Sequence, residues 1–250
     1  LFHVYINYPG KIRLQKFYLY ITKFYLTINH GKLTFILIVF PGPPLDSLRS
    51  LGASHLPSKI MNPLFSLYFQ VHQPYRLRDL RVTEIGSQDM QYFDEEKNKA
   101  VFRKVAEKCY LPANKLMLEL IKNHPDFSIS YSLSGVFLDQ CEEYGEDVLD
   151  SFRALAETGQ VEFLAETYYH SLSYLTSLEE FCEQVEKHVA KIKKLFKQTP
   201  KIFRNTELVF SNEIAEVARL MGFSGILAEG ADHILAGRNP NFPYVPPKFD

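Results

Sequence analysis

Glu207 has the setting that could most directly do chemistry. A short apolar run, Ile202-Phe203, leads into Arg204-Asn205-Thr206-Glu207, and Ser211-Asn212 then offers a helix start. A carboxylate placed where a strand gives way to a loop is where α/β enzymes keep their reactive groups. Such a carboxylate can act as a nucleophile and form a covalent intermediate, and Arg204 could orient it and hold it ionised. On spacing alone the same residue also reads as an ordinary surface glutamate in a loop.

Other polar residues stand at comparable points. His72 and Gln73 follow a first strand pattern, Glu166 and His170 a third, Arg204, Asn205 and Glu207 a fourth, and Glu229, Asp232 and His233 a fifth. In a parallel α/β barrel all of these points lie around one mouth, so positions scattered in sequence converge in space. Plainer readings sit beside each. His72 could cap its strand, and Glu166 and His170, four apart, could be a helical ion pair or two ligands of a metal that lacks an obvious third. Glu162 lies inside a strand, facing either the barrel interior or the helix layer. Glu142, Glu143, Glu146 and Asp147 read as a solvated helix face.

The elements that must position these residues are legible from Met61 onward. Leu64–Val71 is a strand candidate rich in β formers, ended by His72-Gln73-Pro74. Asp94–Asn123 reads as helix interrupted near Leu111-Pro112, Phe127–Ser132 as strand, Gly135–Thr158 as one helix closed by Gly159, and Val161–Leu164 as strand. Ser177 and Glu180 form a capping box for a helix to about Gln198. Its buried stripe is Phe181, Val185, His188, Val189, Ile192, Leu195 and Phe196, with Lys187, Lys191, Lys193 and Lys194 on the solvated face. Thr199-Pro200 stops it. A strand begins at Ile202-Phe203, a short helix covers Asn212–Met221, and Gly225–Ala228 is the fifth strand, followed by a proline-rich tail. Strands alternating with helices call for a parallel sheet with right-handed crossovers. Five strands fit either a doubly wound sheet or part of a barrel. The absence of a GxGxxG after the first strand, or of a Walker loop, disfavours nucleotide binding.

Composition narrows the class. The chain has 250 residues, 46% of them hydrophobic, enough for a sizeable core. Its formal net charge of −1 argues against nucleic acid or an anionic membrane as a partner. Cys109, Cys141 and Cys182 show no CxxC spacing and read as free thiols of a reducing, cytoplasmic compartment. Tryptophan is absent, so Tyr and Phe would have to serve as any sugar platform. Residues 1–60 differ in kind: they hold seven Lys/Arg and one acid, Asp46, against 21 basic and 28 acidic groups in the rest. They lack a steady period. The eight-residue apolar run Leu33–Phe40 is too short to span a bilayer, and it lies thirty residues in, unlike a signal peptide. We read Met61 as the natural start and 1–60 as a non-native upstream extension with little stable structure.

Three stretches together resemble a known family. His72-Gln73-Pro74-Tyr75-Arg76-Leu77-Arg78, Gly159 through His170 (GQVEFLAETYYH) and Phe203-Arg204-Asn205-Thr206-Glu207-Leu208 resemble the first three sequence regions of glycoside hydrolase family 57. Within that family they are most similar to its α-amylase group. The likeness covers about Met61 to Asp250, with the three motifs in order. It implies part of an incomplete (β/α)7 barrel, truncated after about five strands, acting with retention of configuration on an α-1,4-glucan or maltooligosaccharide, without metal or organic cofactor. It implies that Glu207 is the nucleophile and that His72, Glu162 and His170 line the sugar site. Gln73, Glu166, Arg204 and Asn205 complete the expected substrate-binding set.

The chain departs from the family pattern in one respect. No match to the fourth region, which carries the aspartate acid/base, or to the fifth occurs before Asp250. A retaining glycosidase needs two carboxyls about 5–5.5 Å apart, and only Glu229 stands as a spare strand-end acid, so the fragment alone is expected to be inactive. Three alternatives remain: a 4-α-glucanotransferase or branching enzyme of the same family, a glucan-binding barrel that has lost its acid, and a metal-dependent carbohydrate deacetylase. The last would need an HxxxH pattern, which is absent.

Overall fold

A computed structural model describes residues 35–39, 67–86, 91–230, 232–238 and 243–246. In chain order its strands are β1 (Phe35–Val39), β2 (Leu67–Val71), β3 (Ile129–Leu133), β4 (Val161–Phe163), β5 (Ile202–Arg204) and β6 (Gly225–Glu229). Its helices are α1 (Glu95–Val105), α2 (Leu111–Asn123), α3 (Gly135–Tyr144), α4 (Glu146–Glu157), α5 (Leu178–Phe196), α6 (Asn212–Leu220) and the single turn α7 (Asp232–Leu235). The fold is α/β, with parallel strands separated by helices, as the alternating pattern requires. The chain divides into two compact units, Gln70–Pro200 and Leu1–Phe69 with Lys201–Asp250.

In the unit Gln70–Pro200 the sheet order is β2-β3-β4, and β3 runs parallel to β4 with Ile129 opposite Val161 and Tyr131 opposite Phe163. Strand side chains alternate between faces, and here the alternation separates two chemistries. Val71, Ile129, Tyr131, Leu133, Val161 and Phe163 are buried. Tyr131 meets the Phe152 ring of α4 edge-on at 5.3 Å, and Phe163 stacks on Phe196 of α5 at 4.3 Å. Each such ring contributes roughly 1.5–3 kcal/mol by leaving water. The intervening positions are polar: Gln70, Ser130, Ser132 and Glu162.

Local chemistry sets the helix limits. Ser177 Oγ accepts from the Glu180 N–H at 3.2 Å, with Glu179 and Glu180 in the first turn of α5 and Lys193 and Lys194 in the last, each sign suited to its end of the helix dipole. Ser134 caps α3 by accepting from the Phe137 N–H. The expected break near Pro112 is a π-helical turn, Ala106–Tyr110, between α1 and α2. The single helix expected over Gly135–Thr158 is two helices joined at Gly145. Gly145 has φ −140° and ψ 37°, outside the helical range, and a Cβ on it would lie 2.3 Å from the ring of Phe102, which is wholly buried against Phe137 and Tyr144.

In the other unit the order is β1-β6-β5, with β5 parallel to β6 and β1 antiparallel to it, Phe35 facing Glu229 and Val39 facing Gly225. The apolar run Leu33–Phe40 thus contains an edge strand; the rest of 1–60 and the strand expected over Leu64–Ser66 lie outside the described residues. Among the described residues no helix is long and apolar enough to cross a membrane.

Gly145→Ala tests the packing account. The added methyl must displace the Phe102 ring, and overpacking of this kind costs about 1–3 kcal/mol. Thermal unfolding is expected to show that loss for Gly145→Ala, and none for alanine at Ala156 replaced by serine on the same helix pair.

Candidate functional site

The polar face of the β2-β3-β4 sheet and the loop after β4 bring a carboxylate, two imidazoles and their hydrogen-bond partners together. At the centre is Glu166, just past β4, with 0% of its surface exposed. Glu166 Oε1 accepts from Ser132 Oγ at 2.6 Å, and Oε2 lies 3.1 Å from His170 Nδ1. Gln70 Nε2 stands 3.2 Å from the other His170 nitrogen, Nε2. The same Gln70 nitrogen lies 3.4 Å from His170 Nδ1, so it sits beside both ring nitrogens, while Nδ1 is placed to donate to Glu166. The His170 ring also stacks on His72 at 4.2 Å, and His72 Nδ1 lies 2.8 Å from Ser134 Oγ. The chain thus brings together two hydrogen-bonded sets, Gln70-His170-Glu166-Ser132 and His72-Ser134, joined by the stacking of the two imidazoles.

The loop carrying Glu166 and His170 is held from behind. His170 has φ of 54°, a left-handed conformation that side-chain-bearing residues adopt only when their surroundings compel it. Its N–H donates to the Thr167 carbonyl at 3.0 Å. Gln184 of α5 accepts from Ser171 Oγ at 2.8 Å, and the Tyr169 N–H reaches the same oxygen. Tyr168 lies over Gly135, where a Cβ would meet its ring at 2.4 Å, and its hydroxyl donates to Asp139 at 2.6 Å. Burial, followed by that carboxylate, pushes the Tyr168 phenol well above its usual range. Lys191 bonds Asp139 and Glu142 at 2.8 and 2.5 Å, and Lys187 lies over the Tyr168 and Tyr169 rings. Two lysines expected on a merely solvated face are therefore tied into the support of this loop.

The remaining expected residues are placed as follows. Gln73 is buried, its carbonyl accepts from Gln140 Nε2 at 2.6 Å, and its own Nε2 has no partner among the described residues. Glu162 is exposed on the polar face, opposite Ser130. In the other unit, Arg204 closes β5 with 3% exposure and Asn205 is buried beside it. Glu207 is exposed between buried Thr206 and Leu208. Glu207 and Leu208 both have positive φ, 52° and 59°. Two consecutive left-handed non-glycine residues are costly, on the order of 1–3 kcal/mol each. The turn is closed by Asn205 Nδ2 donating to the Val209 carbonyl at 2.9 Å, and by the Leu208 and Val209 N–H groups bonding to Asn205 and Thr206. Glu229 ends β6 half-buried, and His233 is exposed on α7.

Sequence reasoning missed Gln70, Ser132, Ser134 and the bonding of His188. Ile129-Ser130-Tyr131-Ser132-Leu133-Ser134 alternates apolar residue and serine at period two, and that signal marks the polar face. Among the described residues no group of three His, Cys, Asp or Glu is placed to hold a metal ion. Cys141 is buried and Cys109 and Cys182 are half-buried, all three as thiols.

Comparison with known proteins adds an independent line. The pattern of Glycosyl hydrolase family 57 matches residues 66–249. A protein of Methanocaldococcus jannaschii named "Putative alpha-amylase" is 46% identical over 186 residues, covering 74% of this chain and 39% of that protein. An "Alpha-amylase" of Pyrococcus abyssi is 27% identical over 81 residues, 32% of this chain and 12% of that one. The chain thus spans about two fifths of the former and about one eighth of the latter. A solved 4-alpha-glucanotransferase from Thermococcus litoralis aligns over 50% of this chain and 19% of its own, with 26% identity and a TM-score of 0.43.

Ser132→Ala tests the carboxylate-centred network. It leaves Glu166 buried with one donor fewer, and hydrogen bonds to charged groups are worth about 1.5–3 kcal/mol. Urea unfolding is expected to show a destabilisation of that size, while Ser130→Ala, two positions away, leaves the midpoint unchanged.

Proposed function

The chain belongs to glycosyl hydrolase family 57, and from that premise we propose that it is part of a retaining glycosidase acting on α-1,4-glucans, with Glu207 as its nucleophile. The observation that supports this most is the setting of Glu207. Its neighbours are buried, its carboxylate is presented outward, and its backbone is held in a strained turn at the end of β5. Strain of that kind persists where it positions a group that function needs.

In the proposed reaction Glu207 attacks the anomeric carbon as the glycosidic C–O bond breaks. A carboxylic acid protonates the departing oxygen, and a covalent glycosyl-enzyme results. Water, deprotonated by the same acid/base, then attacks the anomeric carbon and frees Glu207, so two inversions give net retention. The reading assigns no residue among these 250 as that acid/base, and it expects the 250-residue chain by itself to hydrolyse no glucan. Gln70, His72, Glu162 and His170 would present donors and acceptors to sugar hydroxyls. The stretch Tyr168-Tyr169-His170-Ser171-Leu172 favours the amylase group within the family, with water and not a second sugar as acceptor.

The test uses the full-length protein with maltooligosaccharides. Glu207→Gln is expected to lower kcat on the order of 10⁴-fold or more, and proton NMR of the first-formed product should show the α-anomer. A Glu207→Gln enzyme close to wild type, or a β-anomeric first product, contradicts the proposal.

A further inference from the structure

We propose that His188, a wholly buried residue of α5, is a positioning residue: one imidazole of fixed tautomer ties the end of β3 to the loop that carries Glu166 and His170. His188 has 0% exposure. Its Nε2 lies 2.7 Å from the Leu133 carbonyl oxygen, and its Nδ1 lies 3.4 Å from the Glu166 amide nitrogen. The carbonyl can only accept and the amide N–H can only donate. The ring therefore carries its proton on Nε2 and leaves Nδ1 bare, and it is neutral. A second proton would put two N–H groups face to face. Burial acts in the same direction, pushing His188 below its ordinary value despite the opposing pull of Glu166.

What the brace fixes is specific. Leu133 is followed directly by Ser134, which bonds to His72 and caps α3. Glu166 bonds to Ser132 and to His170. One side chain thus sets the separation of two backbone segments: the loop carries His170, and the end of β3 leads into the Ser134 that bonds His72. The apolar stripe on which His188 lies would be filled equally well by leucine, so hydrophobic packing does not explain the choice of an imidazole. A residue needed there for shape alone would tolerate any side chain of that volume, whereas a brace needs a donor and an acceptor about as far apart as the two ring nitrogens. Glutamine supplies both from its terminal amide.

The experiment compares the full-length protein with its His188→Gln and His188→Leu variants. Long-range proton–nitrogen correlation spectra report the tautomer of each imidazole at neutral pH. In the wild type, His188 is expected to be neutral with its proton on Nε2. The ring signals of His72 and His170 are expected to stay in place in His188→Gln and to move in His188→Leu. Maltooligosaccharide affinity, which rests on the sugar-site reading, is expected to fall about tenfold in the leucine variant, the equivalent of one lost hydrogen bond, and to stay within about threefold in the glutamine variant. A protonated His188, or one protonated on Nδ1, overturns the proposal. So does a folded leucine variant with unmoved His72 and His170 signals. Should the leucine variant fail to fold, the wild-type tautomer and the unmoved signals of the glutamine variant still decide. Should the wild type bind no maltooligosaccharide, the sugar-site reading fails while the ring signals judge the brace separately.

Discussion

A carboxylate taken wholly out of water must find donors for its oxygens, and much of the unit Gln70–Pro200 is arranged to supply them to Glu166. Left unmet, that need costs several kcal/mol. Ser132 meets it from the neighbouring strand and His170 from the same loop. Because His170 must turn back to reach Glu166, its backbone adopts a left-handed conformation. That conformation survives because Gln184, Tyr168 and the first turn of α3 pin the loop on either side. The stacked pair His72 and His170 follows from the same constraint.

The turn at Glu207 solves a different problem with the same means. Here the carboxylate is exposed, although the charged Arg204 just before it is buried. Two successive left-handed residues lift Glu207 out while Thr206 and Leu208 stay buried. The amide of Asn205 spans the turn, so this residue, expected to bind substrate, also has a structural duty that its burial makes plain. Each unit holds one residue singled out from the sequence for its chemistry, His170 or Glu207, in a left-handed conformation.

Period and capping made most of the architecture readable. The alternation of β and α segments, the Ser177–Glu180 cap and the strand-end placement of Glu166, His170 and Glu207 all follow from local rules and are found. What stayed hidden depends on contacts between segments distant in sequence. Gly145 looked like any helical glycine because only the Phe102 ring, some forty residues earlier, forbids a side chain there. His188 passed for a member of an apolar stripe because its partners are backbone groups of Leu133 and Glu166. Lys191 looked solvated because Asp139 and Glu142 belong to another helix. The pairing of Phe35–Val39 with β6 was equally out of reach of periodicity. The family resemblance supplied roles that no spacing rule could assign.

The central claim is that Glu207 becomes covalently bonded to the sugar. A fluorinated maltosyl fluoride that forms the glycosyl-enzyme quickly and releases it slowly would trap that bond in the full-length protein, and peptide mass spectrometry would locate it. The account predicts one equivalent of glycosyl mass on the peptide containing Glu207, absent in Glu207→Gln. A label on any other residue, or turnover with no covalent species, would contradict it.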